Sequence, residues 1–190
     1  GVAYFCYQYF RNPVTGADEG ATRAERDNFL PLLKDIGWTA EQFASHPFIL
    51  NEHGELWISR EGQAMSGTVG FWSSLRANTS NEARNVYYAD AMAAELECFR
   101  AGRAYTGILF FCGLGSSPVG AVGVTSDILS PDVSTPESLC IRPYIKDRLS
   151  DAFAPLGICL DYYTEDQKRG AKITLPVVLI NDTGRDVKDL

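Results

Sequence analysis

The sequence has no run of about 18 consecutive apolar residues, so no membrane-spanning helix is expected. It has no basic stripe either: 17 Lys and Arg stand against 24 Asp and Glu, a formal net charge of -7. Without clustered cations nothing is in place to neutralise phosphates, which argues against nucleic acid or an anionic membrane as the main partner. The opening residues lack the basic segment, apolar core and cleavage site of a signal peptide and are not expected to be one. No pair among the five cysteines (Cys6, Cys98, Cys112, Cys140, Cys159) has metal-ligand spacing. A zinc site is therefore not expected, and the odd count disfavours a complete disulfide framework. The five read instead as small buried apolar residues. No metal or cofactor is called for, and there is no internal repeat or low-complexity tract.

What is present is 45% hydrophobic and 22% charged residues in a chain of 190. That is an ordinary globular composition, long enough for one domain or for one and a piece of another. The acidic balance suits a neutral substrate such as a sugar, as it suits many other functions. The chain opens inside an apolar, aromatic stretch, Val2 to Phe10, with no initiator Met, and stops six residues after the turn Asp182-Thr183-Gly184. Both ends are expected to continue into a larger polypeptide.

In chain order, Val2 to Phe10 is rich in β-formers and reads as a strand. Thr22 with Glu25, and Thr39 with Gln42, carry capping-box signatures for helices, the first interrupted by Pro31. Phe48-Ile49-Leu50 is an apolar run of the kind buried on both faces of a sheet. Leu56 to Arg60 is a short extended piece closed by Glu61-Gly62, and Phe71-Trp72-Ser73 reads as part of a loop. The spacing of Val86, Tyr87, Ala91, Ala94 and Cys98, with Met92, Leu96 and Phe99, predicts a helix over 81–104. Thr79 and Glu82 would cap it, and Asp90, Glu95 and Arg103 would lie away from the apolar stripe.

Thr106 to Cys112 is a second continuous apolar strand, so strand, helix and strand form a βαβ unit with a parallel sheet. Tyr144 to Phe153 predicts a short helix. Leu156 to Tyr163 and Ile173 to Ile180 are two β-rich runs that open a β-sandwich.

The stretch His46-Pro47-Phe48-Ile49-Leu50-Asn51-Glu52-His53-Gly54 organises the rest. A carboxylate at the carboxyl end of a buried strand is costly to desolvate, and functional residues of parallel sheets collect there. Pro47 to Gly54 resembles the seventh-strand motif of the clan that includes glycoside hydrolase family 2. In that motif a Pro, several β-formers, a nucleophilic Glu, an aromatic residue and a Gly follow one another. His53 stands where Tyr or Phe is usual, Glu55 where an aromatic residue is expected, and Phe110-Phe111-Cys112 where a Trp ordinarily closes strand eight. Pro155 to Ile158 and Leu179 to Asp182 resemble the start of the immunoglobulin-like domain that follows the barrel.

The resemblance implies an α/β fold: the C-terminal portion of a (β/α)8 TIM barrel over residues 1–153, then the first strands of a β-sandwich over 154–190. It also implies retaining cleavage of a β-linked glycoside, with Glu52 as nucleophile. A second carboxylate, about 5 Å away, protonates the leaving oxygen. That acid/base belongs to an Asn-Glu pair after the fourth strand and is expected outside residues 1–190. The isolated chain is then expected to lack hydrolase activity, its partners being a carbohydrate and the remainder of its own polypeptide.

Each candidate has a plainer alternative, and for Glu52 it is a surface carboxylate at a strand end. Asn51 could hold the Glu52 carboxylate or a sugar hydroxyl, or could serve as a turn former. His53 is next in line to contact substrate. Trp57 and Trp72 could stack on a sugar ring or could be core. Arg60 could pair with Glu52 and keep it ionised, or could be a solvated loop residue. A phosphate-binding role for Gly113 to Gly120 is weak, because that loop has no Lys and no capped helix follows. Two other classes stay open: a non-catalytic glycan-binding or protein-contact relic of the barrel, and an unrelated α/β enzyme.

Overall fold

The computed structural model describes residues 10–11, 18–19, 49–50, 57–65, 68–74, 80–103, 106–110, 113, 128–130, 132, 134–160 and 168–188. All but Phe10 of the strand expected over 2–10, the two helices expected before Pro47, His46, residues 51–56 and the loop beyond Gly113 lie outside the described residues. Those described are mixed α and β. Strands β1 (Phe10–Arg11) and β2 (Asp18–Glu19) pair antiparallel, with Phe10 opposite Glu19. Strand β3 (Ile49–Leu50) is followed by helix α1 (Val69–Ser74) and the long helix α2 (Asn81–Gly102), then β4 (Gly107–Ile108). β3 and β4 pair in parallel, Ile49 against Gly107 and Leu50 against Ile108.

Helix α2 organises the packing. Its N-cap is Ser80, in extended backbone, whose hydroxyl accepts from the Ala83 amide at 3.0 Å. The pattern pointed to Thr79. Ser80 takes the role because it sits three residues before the orphan N–H of Ala83, and Glu82 then lies in the first turn, where the helix dipole favours a carboxylate. The helix ends two residues earlier than expected. Arg103 adopts a left-handed conformation (φ 54°) and its amide closes back on the Arg100 carbonyl.

The expected polar side of α2 is also narrower than the sequence suggests, for Glu95 is only 1% exposed. The cause is that α2 is covered on more than one side. Tyr88, Ala89, Ala91 and Met92 join Ile58, Trp72, Ile128 and Ile145 in one apolar cluster. Ala93 and Leu96 join Ala152 in another, against which Ile108 of β4 packs.

Residues 128–130 and 140–142 run side by side, held by Ser130 N to Cys140 O (2.8 Å) and Arg142 N to Ile128 O (3.0 Å). Between them is a 3-10 turn, Pro136–Ser138, with Thr135 and Ser138 capping reciprocally. Cys140 is exposed there, unlike the buried Cys98 and Cys159, which corrects the expectation that all five cysteines are interior. Its Sγ lies 3.1 Å from Ser130 Oγ across the loop.

Helix α3 (Pro143–Ala152) begins one residue before the expected start. Pro143 occupies the first turn, where its missing N–H removes no helical bond. It docks on α2 through Ile145 and Ala152, and Asp90 accepts from the Tyr144 hydroxyl (2.9 Å) and Arg148 Nε (2.7 Å).

Strands β5 (Leu156–Leu160) and β6 (Val177–Asn181) form an antiparallel pair with Gly157 opposite Ile180 and Cys159 opposite Val178. Cys159 and Ile180 are buried on the side that meets α2. Arg100 ties the pieces together. Its guanidinium donates to the carbonyls of Ala152 and Ala154 at the end of α3 and, through Nε and Nη2, to Asp182 Oδ2 just after β6.

Candidate functional site

The site begins from β3 and β4. Because the two strands run parallel and in register, Leu50 and Ile108 lie at the same end of the pair, the end at which functional residues of parallel sheets gather. Phe110, just past β4, packs on the apolar cluster that contains Ile58 and Ile128. The Ile128 amide donates to the Gly113 carbonyl at 3.3 Å, so the chain departs at Gly113 and is back beside it at Ile128. Residues 57–65 join the same cluster through Ile58.

Those residues form a tight hairpin. Ile58 bridges Ala64 antiparallel, Ser59 N donates to Gln63 O and Gly62 N to Ser59 O, both at 2.8 Å. Ser59 Oγ accepts from the amides of Glu61 (3.2 Å) and Gln63 (3.1 Å) and donates to Glu61 Oε2 (3.0 Å). Gly62 makes the turn possible. Its φ is +83°, and a Cβ there would fall 2.5 Å from the Asn81 carbonyl oxygen. Gly62→Ala is therefore expected to cost about 2 kcal/mol of stability, read from the shift of a urea unfolding midpoint.

Of the residues the sequence singled out, Asn51, Glu52 and His53 lie outside the described residues. Trp57, Arg60 and Trp72 are described. Trp72 belongs to α1, not to a loop, and is fully buried. Its indole N–H donates to the Trp57 carbonyl at 3.2 Å and its ring meets Tyr87 edge-on, centroids 5.8 Å apart. A ring enclosed by the core has no face for a sugar, and the stacking role is withdrawn from it.

Trp57 differs. Its carbonyl accepts from Met65 N (3.1 Å), Thr68 Oγ1 (2.9 Å) and Trp72 Nε1, which fixes its backbone from three directions. The residue is half-buried, and its own indole N–H is buried without a hydrogen-bond partner among the described residues. A buried donor left open is uncommon and is the kind of group a ligand oxygen satisfies. The half-buried Arg60 is held by its backbone, its carbonyl accepting from Arg142 Nη1 at 2.8 Å.

The residues that sequence reasoning missed are those that brace this hairpin. Arg142, 9% exposed, reaches both Arg60 O and Asn85 Oδ1, and Arg84 Nε donates to Gly62 O at 2.7 Å. Only an Arg ahead of a helix-starting Pro marked Arg142, and that signal is too common to single it out. Among the described residues no group of three or more His, Cys, Asp or Glu is placed to hold a metal ion. No described helix is long and apolar enough to cross a membrane. The Glu97 carboxyl is shifted up by burial against the opposing fields of Arg148 and Arg100, on the α3 side of α2. No family model, curated protein or solved structure matches the chain.

Proposed function

We propose that the chain carries the nucleophile half of a retaining glycosidase, with Glu52 attacking the anomeric carbon of a β-linked sugar and the acid/base supplied from outside residues 1–190. In this reading residues 1–153 are the last part of a (β/α)8 barrel and 154–190 open an immunoglobulin-like sandwich. The observation that carries it is the parallel pairing of Ile49–Leu50 with Gly107–Ile108 across α2, since Asn51 and Glu52 directly follow the first of those strands. Retaining chemistry needs one ionised carboxylate at the sugar's anomeric face and one protonated carboxyl on the leaving oxygen. A strand end gives the first of these a rigid mount.

Trp57, with its open indole N–H, and Arg60 are the substrate-side candidates, alongside Asn51 and His53. Glu52→Gln in the complete polypeptide is expected to abolish covalent trapping by a 2-fluoro-glycoside while leaving the fold intact. Undiminished trapping removes Glu52 from the mechanism.

A second reading is a glycan-binding or protein-contact module without catalysis. His53 and Glu55, which depart from the motif, favour it. Sugar binding by the complete polypeptide with no hydrolysis of any β-glycoside would select it.

A further inference from the structure

The hairpin over residues 57–65 is anchored by apolar side chains at its two ends, where Ile58 and Met65 are buried. Its tip, Ser59-Arg60-Glu61-Gly62-Gln63, has no apolar side chain to bury, so hydrogen bonds set its place. Ser59 closes the turn from within, and Arg84 Nε, on α2, holds the Gly62 carbonyl at 2.7 Å. A second guanidinium is added to this closed turn. Arg142 Nη1 donates to the Arg60 carbonyl at 2.8 Å and to Asn85 Oδ1 of α2.

From this arrangement we infer that Arg142 is a positioning residue for the sugar site, fixing the backbone from which the Arg60 side chain reaches substrate. The inference rests on the glycosidase reading and extends it. Arg142 is itself held at both ends of its backbone. Its amide donates to the Ile128 carbonyl at 3.0 Å, and its carbonyl accepts from Lys146 N of α3 at 2.9 Å. The Ile128 amide in turn donates to the carbonyl of Gly113, past the end of β4, at 3.3 Å. One residue therefore joins the hairpin to α2, to α3 and to the chain beyond β4. Arg142 is only 9% exposed, so water screens its charged hydrogen bonds little. Both bonds leave one nitrogen of a planar group, which fixes their directions as a rotating ammonium would not.

Such a role has its own kinetic signature. If Arg142 acts through the Arg60 side chain, removing that side chain makes Arg142 irrelevant to substrate. Arg60→Ala keeps the backbone carbonyl, so the bond from Arg142 and its share of stability remain. The coupling between the two residues therefore shows in kinetics and not in stability.

The test is a double-mutant cycle in the complete polypeptide, with kcat and KM for an aryl β-glycoside and a urea midpoint measured for each variant. Arg142→Ala and Arg60→Ala are each expected to lower kcat/KM by about tenfold or more, chiefly by raising KM. The double variant should be no slower than Arg60→Ala alone. Arg142→Lys keeps the charge and serves if the alanine variant does not fold; its smaller loss should also vanish beside Arg60→Ala. Arg100→Ala, in the α2–α3–β6 cluster, should leave KM unchanged at a temperature where it is folded. Parent-like KM in every folded Arg142 variant, parent-like kinetics in Arg60→Ala, or losses that multiply in the double variant overturn the proposal. An equal rise of KM in Arg100→Ala does so too, by making the effect one of general destabilisation. A parent that cleaves no β-glycoside overturns the glycosidase reading and this inference with it, whereas an active parent with a failed cycle overturns this inference alone.

Discussion

Arg100→Ala is expected to lower the unfolding free energy by about 3–5 kcal/mol, the range for removing one member of a buried polar cluster. The Arg100 side chain is 9% exposed. It meets Asp182 Oδ2 through Nε (3.1 Å) and Nη2 (2.8 Å), and its remaining donors satisfy the carbonyls of Ala152 and Ala154. Truncation leaves those two carbonyls without their donor and cuts the link between α2, the end of α3 and β6. Arg103 also pairs with Asp182 but is 53% exposed, so Arg103→Ala should cost no more than about 1 kcal/mol. Urea denaturation of both variants separates the two, and equal losses would mean that the carbonyl contacts of Arg100 contribute nothing.

The same cluster gives a pH dependence. Hydrogen bonds from Arg103 and Arg100 hold the Asp182 carboxyl below the usual carboxylate range. A carboxyl with a depressed folded pKa contributes stability that is complete above its unfolded value of about 4 and is lost as pH falls through the lower folded value. Acid titration of Asp182→Asn should therefore show a shallower loss of stability below that point than the parent chain. An unchanged acid limb would show that Asp182 is not linked to folding.

Trp72→Ala is the second large effect, about 3–5 kcal/mol, the cost of emptying the site of a large buried aromatic side chain. Trp72 is fully enclosed by the cluster that includes Ile58, Tyr88 and Met92, so its loss is felt by both α1 and α2. Trp72→Phe keeps most of the packing and removes the N–H bond to the Trp57 carbonyl, which retains Met65 N and Thr68 Oγ1 as donors. It should cost about 1–2 kcal/mol. Calorimetric melting of both variants checks the ratio. If the Phe variant instead retained full stability while losing sugar affinity, Trp72 would be a substrate contact and its assignment to the core would be mistaken.

The large elements were legible because their signals are local and repeated. The expected helix 81–104 matches Asn81–Gly102, and the short helix near 144–153 matches Pro143–Ala152, since three- and four-residue spacings survive small errors at the ends. The two late β-rich runs contain β5 and β6 for a similar reason: an alternating run of β-branched and aliphatic residues has few other uses.

What the sequence concealed depends on tertiary neighbours. Val69-Gly70-Phe71-Trp72 has weak helix propensity, yet forms a helical turn because Trp72 is anchored by the Trp57 carbonyl and Tyr87. Glu95 looks like a surface residue until α2 is seen to be covered on several sides. Cys140 looks like a core residue until it is found exposed across from Ser130. At the site, Trp57 and Arg60 were visible as residue types, but the bracing by Arg142, Asn85 and Arg84 spans 22 to 82 residues of chain and leaves no local pattern.

Glu52 is proposed as the covalent nucleophile. The most direct measurement is peptide mapping by mass spectrometry after the complete polypeptide is inactivated with a 2-fluoro-glycoside. One fluoro-glycosyl adduct is expected, on the peptide that contains Glu52. An adduct on any other carboxylate, or stoichiometric inactivation with the Glu52 peptide unmodified, would contradict it.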